Sequence, residues 1–414
     1  MKIAVIGTGI SGMVAAYLLS EEHDLTVFEA NDYVGGHTNT VTVNTEQGTY
    51  AVDTGFIVFN DRTYPNFTTL LRQLSIATQP STMSFSVKCE QSGLEYNGTS
   101  LNTLFAQRRN LLRPSFHRLL VDILRFNRTA PRLLQQGNEH TTLGDYLQAH
   151  HYSTAFVEHY IIPMGAAIWS ADPQQIWQVP AHFFIRFVHH HGMLTVSRRP
   201  QWRVIKGGSQ QYVRALIQPY HQRIRLCCPV QAVTRSRDAV TIRSPGHEPE
   251  RFDQVVLATH SDQALALLTD PSEQERLLLG ALPYHKNEVV LHTDTTLLPR
   301  APRAWASWNY HRLPEPQGHV TMTYNMNLLQ SLQAQQTFCV TLNRTTTIDP
   351  STILRTMTYH HPVYTVRGIA AQKQYARING VNRTYFCGAY WGNGFHEDGV
   401  NSALAVGTCF GKGL

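Results

Sequence analysis

The residues best placed to do chemistry are three glycines and one acid near the start of the chain. Gly7, Gly9 and Gly12 form a GxGxxG turn, and Glu29 follows the next apolar run. Such a turn lets the backbone approach a pyrophosphate, and an acid in this position accepts hydrogen bonds from ribose hydroxyls. Together these residues predict a dinucleotide-binding site, and the alternative is a glycine-rich turn that holds no ligand.

Two strands and a helix must hold these residues in place. Residues 2–6 are a short apolar run typical of a buried parallel strand, 13–20 predict a helix with one apolar face, and 25–28 predict a second strand. Ile10 and Ser11 stand at the start of the helix, where free N–H groups and a partial positive charge attract a pyrophosphate. Strand, turn, helix, strand and acid are therefore in the register that a dinucleotide site requires.

Length and composition favour a globular protein of two domains. The chain has 414 residues, of which 42% are hydrophobic. None of its apolar runs approaches the roughly 18 residues needed to cross a bilayer. The six cysteines form no CxxC pair, so we expect free thiols in a reducing, cytoplasmic compartment. The histidine run 189–191 has apolar neighbours and no further ligand at a suitable spacing, so we expect no metal.

Basic residues are concentrated in one region. The net charge is +6 and the isoelectric point about 9.0. A cluster comprises Arg108, Arg109, Arg113, Arg118, Arg125, Arg128 and Arg132. It is either a solvated helical face or a surface attracted to a polyanion. A solvated face is the more ordinary interpretation. Since no segment resembles a nucleic-acid-binding module, we expect no nucleic acid, and of the two polyanions an anionic inner membrane surface is the better candidate for a peripheral contact.

A second close backbone approach follows the acid. Glu29 and Ala30 are followed by Gly35, Gly36 and His37. This pattern resembles the Glu-Ala and Gly-Gly-Arg element of the flavin amine oxidase, protoporphyrinogen oxidase and phytoene desaturase superfamily. The resemblance implies that the segment lies along the pyrophosphate and ribityl chain of a non-covalently bound FAD. His37 stands where arginine is usual, which weakens the charge expected there.

Two further segments carry the same resemblance. Thr54, Gly55, Phe56 and Ile57 resemble the superfamily segment that passes beside the isoalloxazine ring, and an ordinary strand end is the alternative. Val230 follows a predicted return to the dinucleotide domain, where a valine commonly contacts adenine in the superfamily.

The end of the chain resembles the closing motif of the superfamily. Gly388 ends a predicted strand, and residues 394–405 form a loop that opens the last helix. The resemblance implies that Asp398, Gly399 and Val400, at the start of that helix, lie at the flavin pyrimidine. A helix N-terminus there would stabilise the anionic reduced ring.

Four catalytic candidates also come from the resemblance. Lys286 lies within about one residue of the position where amine oxidases often have a lysine that holds a water beside flavin N5. Phe395 falls where those enzymes have one of two flavin-facing aromatics, and Tyr364 is a candidate for the other. His396 is the nearest ionisable group. The sequence shows no Ser/His/Asp set and no paired carboxylates that stand out.

These features predict an α/β fold with a two-dinucleotide-binding, Rossmann-like FAD domain and an inserted α+β substrate domain. The FAD domain would comprise residues 1–75, 200–275 and 370–414, and the substrate domain 76–199 and 276–369. Within the superfamily the chain looks most like bacterial FAD-dependent oxidoreductases associated with cyclopropane-fatty-acid-type lipid modification.

The expected function is an FAD-dependent oxidoreductase that takes a hydride from a substrate carbon to flavin N5. Residues 160–170 are apolar and rich in small side chains, so they form either core or the wall of an apolar tunnel. The tunnel interpretation favours a desaturase or dehydrogenase of a small-molecule or lipid substrate, such as a fatty acyl chain. A flavin amine oxidase, a redox-neutral flavin isomerase or mutase, and a non-enzymatic nucleotide-binding module are the alternatives. The oligomeric state stays open.

Overall fold

A computed structural model of the chain describes residues 1–135, 140–195, 199–315 and 317–414, and its strands and helices are numbered here in chain order. The strands are β1 (Lys2–Ile6), β2 (Asp24–Phe28), β3 (Thr40–Thr45), β4 (Gly48–Asp53), β5 (Thr78–Pro80), β6 (Phe85–Cys89), β7 (Glu95–Asn97), β8 (Arg203–Ile205), β9 (Ile224–Arg225), β10 (Ala232–Arg235), β11 (Val240–Arg243), β12 (Glu250–Phe252), β13 (Gln254–Leu257), β14 (Tyr284–His292), β15 (Trp308–Arg312), β16 (Met322–Asn325), β17 (Cys339–Leu342), β18 (Ile353–Pro362) and β19 (Thr384–Phe386). The helices are α1 (Ile10–Leu19), α2 (Pro65–Gln73), α3 (Leu101–Leu104), α4 (Pro114–Thr129), α5 (Leu143–Ala149), α6 (Thr154–Phe156), α7 (Ile162–Trp169), α8 (Pro173–Ile176), α9 (Ala181–His190), α10 (Gln210–Ile217), α11 (Ser261–Leu267), α12 (Glu273–Leu279), α13 (Met326–Leu329), α14 (Val366–Gln372) and α15 (His396–Thr408).

A parallel sheet forms the dinucleotide half of the molecule. Its five strands run in the order β19-β13-β1-β2-β9, and every neighbouring pair is parallel. The predicted strands 2–6 and 25–28 are therefore confirmed as the central pair β1 and β2. Helix α1 begins at Ile10, three residues earlier than the predicted start at Met13, and Gly9 is its N-cap.

A larger sheet forms the second half. Its seven strands run in the order β18-β14-β17-β16-β15-β6-β7, and all neighbouring pairs are antiparallel except β15 with β6. The sheet joins residues 85–97 to residues 284–362, so two separated stretches of chain build one layer. The α/β architecture with a second, mostly antiparallel unit is as predicted.

Helices α3 to α9 cover one side of the larger sheet. Their apolar faces and the inner face of the sheet form one core that includes Phe126, Phe156 and Phe184. Between α6 and α7 the backbone makes a π turn over Val157–Ile161, a feature often found beside functional sites. Among the described helices, none is both long and apolar enough to cross a membrane.

The last helix brings the end of the chain back to its beginning. α15 packs directly on α1, and a Cβ built on Gly399 would lie only 2.6 Å from the Ile10 Cγ2 atom. Glycine is therefore needed for this close approach. The packing sets the N-termini of α1 and α15 side by side.

Candidate active site

A single cavity of about 1240 Å³ extends from the glycine turn after β1 into the larger sheet. We call its two parts the dinucleotide end and the substrate end. The dinucleotide end is lined by residues that include Gly7, Thr8, Gly9, Ile10, Ser11, Glu29, Ala30, Gly35, Gly36, His37, Val230 and Gly388. The substrate end is lined by residues that include Met83, Phe85, Tyr96, Tyr160, Met164, Ala167, Ile168, Trp169, Phe187, Met193, Trp202, Trp308 and Tyr324.

Glycines form the floor of the dinucleotide end. A Cβ on Gly9 would meet nothing within 4 Å, so the backbone is open to the cavity there. Gly36 lies across it, and its own Cβ would be 3.1 Å from the Gly9 Cα. Gly12 does not line the cavity, because a Cβ there would lie 2.0 Å from the Gly7 carbonyl oxygen. Its place in the structure is the close packing of α1 on the turn, and a direct cofactor contact from Gly12 stays a prediction.

The acid of the dinucleotide end is held firmly in the cavity wall. One Glu29 oxygen accepts from the Thr8 N–H at 2.9 Å and the Thr8 hydroxyl at 2.5 Å. The other accepts from the Asn31 N–H at 2.9 Å and its side-chain amide at 2.8 Å. Glu29 is buried beside Ala30, and Val230 lines the same end. Contacts of these residues with ribose and adenine stay predictions.

The segment after β4 closes one side of the cavity. The Phe56 N–H donates to the His37 carbonyl at 2.9 Å, and a Cβ on Gly55 would lie 2.1 Å from that oxygen. Gly55, Phe56 and Ile57 line the cavity. Thr54 does not, because its hydroxyl is turned away to the Asn39 carbonyl at 2.8 Å.

The start of α15 contributes Gly394, Phe395 and His396 to the wall, whereas the next three residues lie behind it. Asp398 accepts from the Phe395 N–H at 3.0 Å, and burial raises its pKa to about 6. Gly399 packs on α1, and Val400 is buried in the core. Asp398, Gly399 and Val400 shape and seat the helix start, and the predicted contact of this helix start with the flavin stays a prediction.

His396 is held in place by ring stacking and by hydrogen bonds at Nε2. The ring stacks on Phe56 at 3.4 Å between centroids, and Nε2 lies 2.9 Å from the Thr38 hydroxyl and 3.0 Å from that of Tyr212. Burial lowers its pKa to about 3, so the imidazole is neutral at neutral pH. We assign His396 a positioning role at the start of α15.

The predicted aromatic pair is not assembled. Phe395 lines the cavity and stacks on Phe187 at 5.1 Å. Tyr364 is buried outside the lining, with its ring stacked on Phe183 at 4.9 Å, so its predicted place facing the cavity was wrong. A cage of two facing aromatics for an amine is therefore missing from these positions.

Lys286 is also placed away from the cavity. It lies on β14 opposite His360 and is exposed, whereas the next residue, Asn287, is fully buried. Successive side chains of a strand point to opposite faces, so a register shift of one residue reverses the two positions. Lys286 does not line the cavity here, so its catalytic role stays a prediction that this placement does not support.

Sequence reasoning missed a group of histidines in the middle of the cavity. His260, His360 and His361 line it together with His37. The ring centroid of His37 lies 5.4 Å from that of His361 and 6.0 Å from that of His260. Burial lowers the pKa of His260 and of His361 to about 4, so both rings are neutral at neutral pH. The available signals were a histidine after the end of β13 and a histidine doublet at the end of β18.

Asn287 orients one of these rings. Its side-chain amide nitrogen lies 3.0 Å from the Ser170 carbonyl, which can only accept, so this nitrogen is the donor. The same nitrogen lies 3.0 Å from His361 Nδ1, which therefore accepts. In the neutral ring the proton must then sit on Nε2.

Charge is distributed unevenly along the cavity. Within the described residues, Glu29 is the one carboxylate in the lining, and Arg199 is the one lysine or arginine. Arg199 is exposed, and its Nε donates to the Thr195 carbonyl at 2.9 Å. It lies near Tyr160. Burial raises the pKa of Tyr160 to about 12, and the nearby charge of Arg199 partly offsets that rise. The substrate end is thus apolar, with one cation and no described carboxylate.

The chain matches one family model and is similar in fold to several solved structures. The family model described as flavin containing amine oxidoreductase matches residues 10–318. Cyclohexylamine oxidase from Brevibacterium oxydans IH-35A is 15% identical, with a TM-score of 0.68 and 99% of both chains covered. A CLA-producing fatty acid isomerase from P. acnes is 15% identical, with a TM-score of 0.70 and 99% and 98% covered. A structure from Exiguobacterium sp. 255-15 assigned as a protoporphyrinogen oxidase is 17% identical, with a TM-score of 0.69 and 99% and 98% covered. At these identities the structures show a shared fold.

Proposed function

This chain belongs to the flavin containing amine oxidoreductase family and is an FAD-dependent oxidoreductase, and we propose that its substrate is an apolar acyl chain which it desaturates or dehydrogenates. The observation that carries this proposal is the composition of the substrate end, where apolar and aromatic side chains surround the cavity and the described residues supply no carboxylate. An ammonium substrate needs a nearby anion to offset its desolvation, whereas an acyl chain needs apolar surface.

The dinucleotide end fits FAD. The backbone at Gly9 is open to the cavity, and Gly36 lies against it without a side chain, so a pyrophosphate can reach the N–H groups of Ile10 and Ser11. Glu29 is placed for ribose hydroxyls. We propose non-covalent binding by these residues. When bound, the flavin accepts the hydride that leaves the substrate carbon.

The protein would supply orientation and a place for the proton. Ile57 and Phe395 form apolar walls between the two ends. The proton that leaves the neighbouring carbon needs a base, and burial lowers the pKa of His260 and of His361 to about 4, which leaves both rings neutral. His361 presents Nε2–H as a donor, so His37, His260 and His360 remain as the rings that could hold a proton.

Arg199 is proposed to hold the anionic end of the substrate. A guanidinium binds a carboxylate or phosphate through charge-assisted hydrogen bonds. Replacing it in Arg199→Gln should raise KM for a free fatty acid about 10- to 100-fold with little change in kcat, the range for a lost hydrogen bond to a charged group. Arg303→Gln, at another exposed arginine, is the matched control.

The test is an anaerobic titration of the FAD-loaded protein, followed by its absorbance and by mass analysis of the product. Bleaching by oleate or its phospholipid, with a product lighter by two hydrogens, supports the proposal. Bleaching by a primary alkylamine and not by lipid would replace it with an amine oxidase. A lipid product of unchanged mass with a shifted double bond would replace it with a redox-neutral isomerase.

A further inference from the structure

The cavity reaches the surface beside an unusually basic and apolar stretch of chain. Gly98 and Thr99 line the cavity and are exposed, and α3 begins directly after them. From Leu101 to residue 135 the sequence contains seven arginines, no lysine and one acid, Asp122. Asp122 is fully buried and pairs with Arg118 at 3.2 Å and Arg125 at 3.5 Å, so the stretch as a whole keeps a positive charge.

Large apolar side chains are exposed on the same stretch. Leu101 is 76% exposed, Leu112 87% and Leu111 49%. On α4, Val121 and Leu124 are 56% and 58% exposed, and their spacing puts them on one helix face. Exposed leucines among arginines are typical of surfaces that insert into the boundary between lipid headgroups and acyl chains.

A cleft in the same region fits a headgroup. It has a volume of about 370 Å³ and is lined by residues that include Arg125, Arg132, His150 and Tyr146. The Arg125 guanidinium lies 4.1 Å over the ring of Tyr152, which fixes it at the cleft. Arg125 also donates to the His150 carbonyl and pairs with Asp122 at 3.5 Å, and together with Arg132 it gives the cleft a positive charge that suits phosphate.

We propose that α3, residues 108–112 and the exposed face of α4 form a docking surface for an anionic phospholipid bilayer, which delivers an acyl chain through the opening at Gly98 and Thr99. Charge complementarity identifies the partner, because the surface combines arginine charge with exposed leucine. The destination of the chain rests on the proposed function, whereas docking itself is a separate property.

The experiment measures binding of the FAD-loaded protein to vesicles of equal parts phosphatidylglycerol and phosphatidylcholine, by sedimentation at low and high salt. We expect binding that weakens with salt, and weaker binding to pure phosphatidylcholine. The double variant Leu111→Ser, Leu112→Ser should lose about tenfold in affinity, as removal of inserted apolar surface predicts. The matched control is Leu277→Ser, Leu354→Ser, whose leucines are 46% and 42% exposed elsewhere.

Charge is tested separately. Arg108→Gln with Arg128→Gln should lose about fivefold per arginine on anionic vesicles, and Arg72→Gln with Arg251→Gln, also exposed, should lose much less. Sensitivity to the arginine changes without sensitivity to the leucine changes would indicate a polyanion other than a bilayer and overturn the proposal. Absence of vesicle binding, or equal loss in the controls, would also overturn it.

Turnover separates this inference from the proposed function. If the leucine variant oxidises dispersed oleate as the wild type does but is slow with lipid in vesicles, delivery from the bilayer is supported. If the protein docks on vesicles and no lipid reduces its flavin, the docking surface stands and the proposed substrate fails.

Discussion

Gly9→Ala should abolish FAD binding while leaving the fold intact. Gly9 has φ −61° and ψ 174°, a conformation open to any residue, and a Cβ there meets no atom within 4 Å. Alanine reduces the conformational freedom of the unfolded chain, which stabilises the folded protein by about 0.4–1 kcal/mol. It is also a poorer residue than glycine at a helix N-cap, which costs a few tenths to about 1 kcal/mol. The two effects nearly cancel, so the free energy of unfolding should change by less than about 1 kcal/mol.

The methyl group would instead occupy the space where the pyrophosphate approaches the backbone. A close-packed contact cannot absorb a methyl group without displacing the ligand, and a loss of about 3 kcal/mol corresponds to more than 100-fold in affinity. The assay is the ratio of flavin to protein absorbance after reconstitution with excess FAD, with thermal unfolding of the FAD-free protein measured in parallel.

Gly12→Ala is the matched comparison. Its Cβ would lie 2.0 Å from the Gly7 carbonyl oxygen, so the backbone must move and stability should fall by about 3 kcal/mol or more. Gly9→Ala should lose flavin at unchanged stability, and Gly12→Ala should lose stability first. Retention of wild-type flavin content by a folded Gly9→Ala protein would refute the assignment of the dinucleotide end.

Three further outcomes are expected. Burial lowers the pKa of His396 from 6.5 to about 3 in the folded protein, so its contribution to stability is present above pH 6.5 and is lost as pH falls from 6.5 to about 3. In this range His396→Gln should reduce the slope of unfolding free energy against pH by about 1.4 kcal/mol per pH unit, the value for one proton. An unchanged slope would contradict this. Arg235 and Glu275 form an ion pair at 2.5 Å with both side chains 2% exposed, so Arg235→Leu should cost about 3–5 kcal/mol in chemical denaturation, and adding Glu275→Leu should recover more than half. The Tyr364 hydroxyl is buried with no partner among the described residues, so Tyr364→Phe should leave the melting temperature equal or higher, and a large loss would reveal a missed hydrogen bond.

What could be predicted from the sequence is what neighbouring residues determine. The turn between β1 and α1 and the strand ending before Glu29 both depend on local spacing, and the structure contains both of them. In each case the pattern lies within one short window of chain.

What could not be predicted depends on register and on distant contacts. Lys286 and Asn287 differ by one strand position, so their side chains point to opposite faces of β14, and an uncertainty of one residue decides which of them is buried. The histidine group unites residues after β2, after β13 and at the end of β18, which no single window contains. Tyr364 failed for a similar reason, because its ring packs on α9 rather than facing the cavity.

The distribution of charge along the cavity determines the direction in which a fatty acid would lie relative to the flavin. Glu29 at the dinucleotide end would repel the anionic head of a fatty acid, whereas Arg199 at the other end would attract it. The acyl chain must then lie with its tail toward the flavin. Burial keeps His260 and His361 neutral between the two ends, so the middle of the cavity does not repel an apolar chain at neutral pH. A protonated histidine beside an apolar acyl chain would lose its hydration without gaining a partner. The low pKa values and the apolar substrate are therefore two consequences of the same buried site.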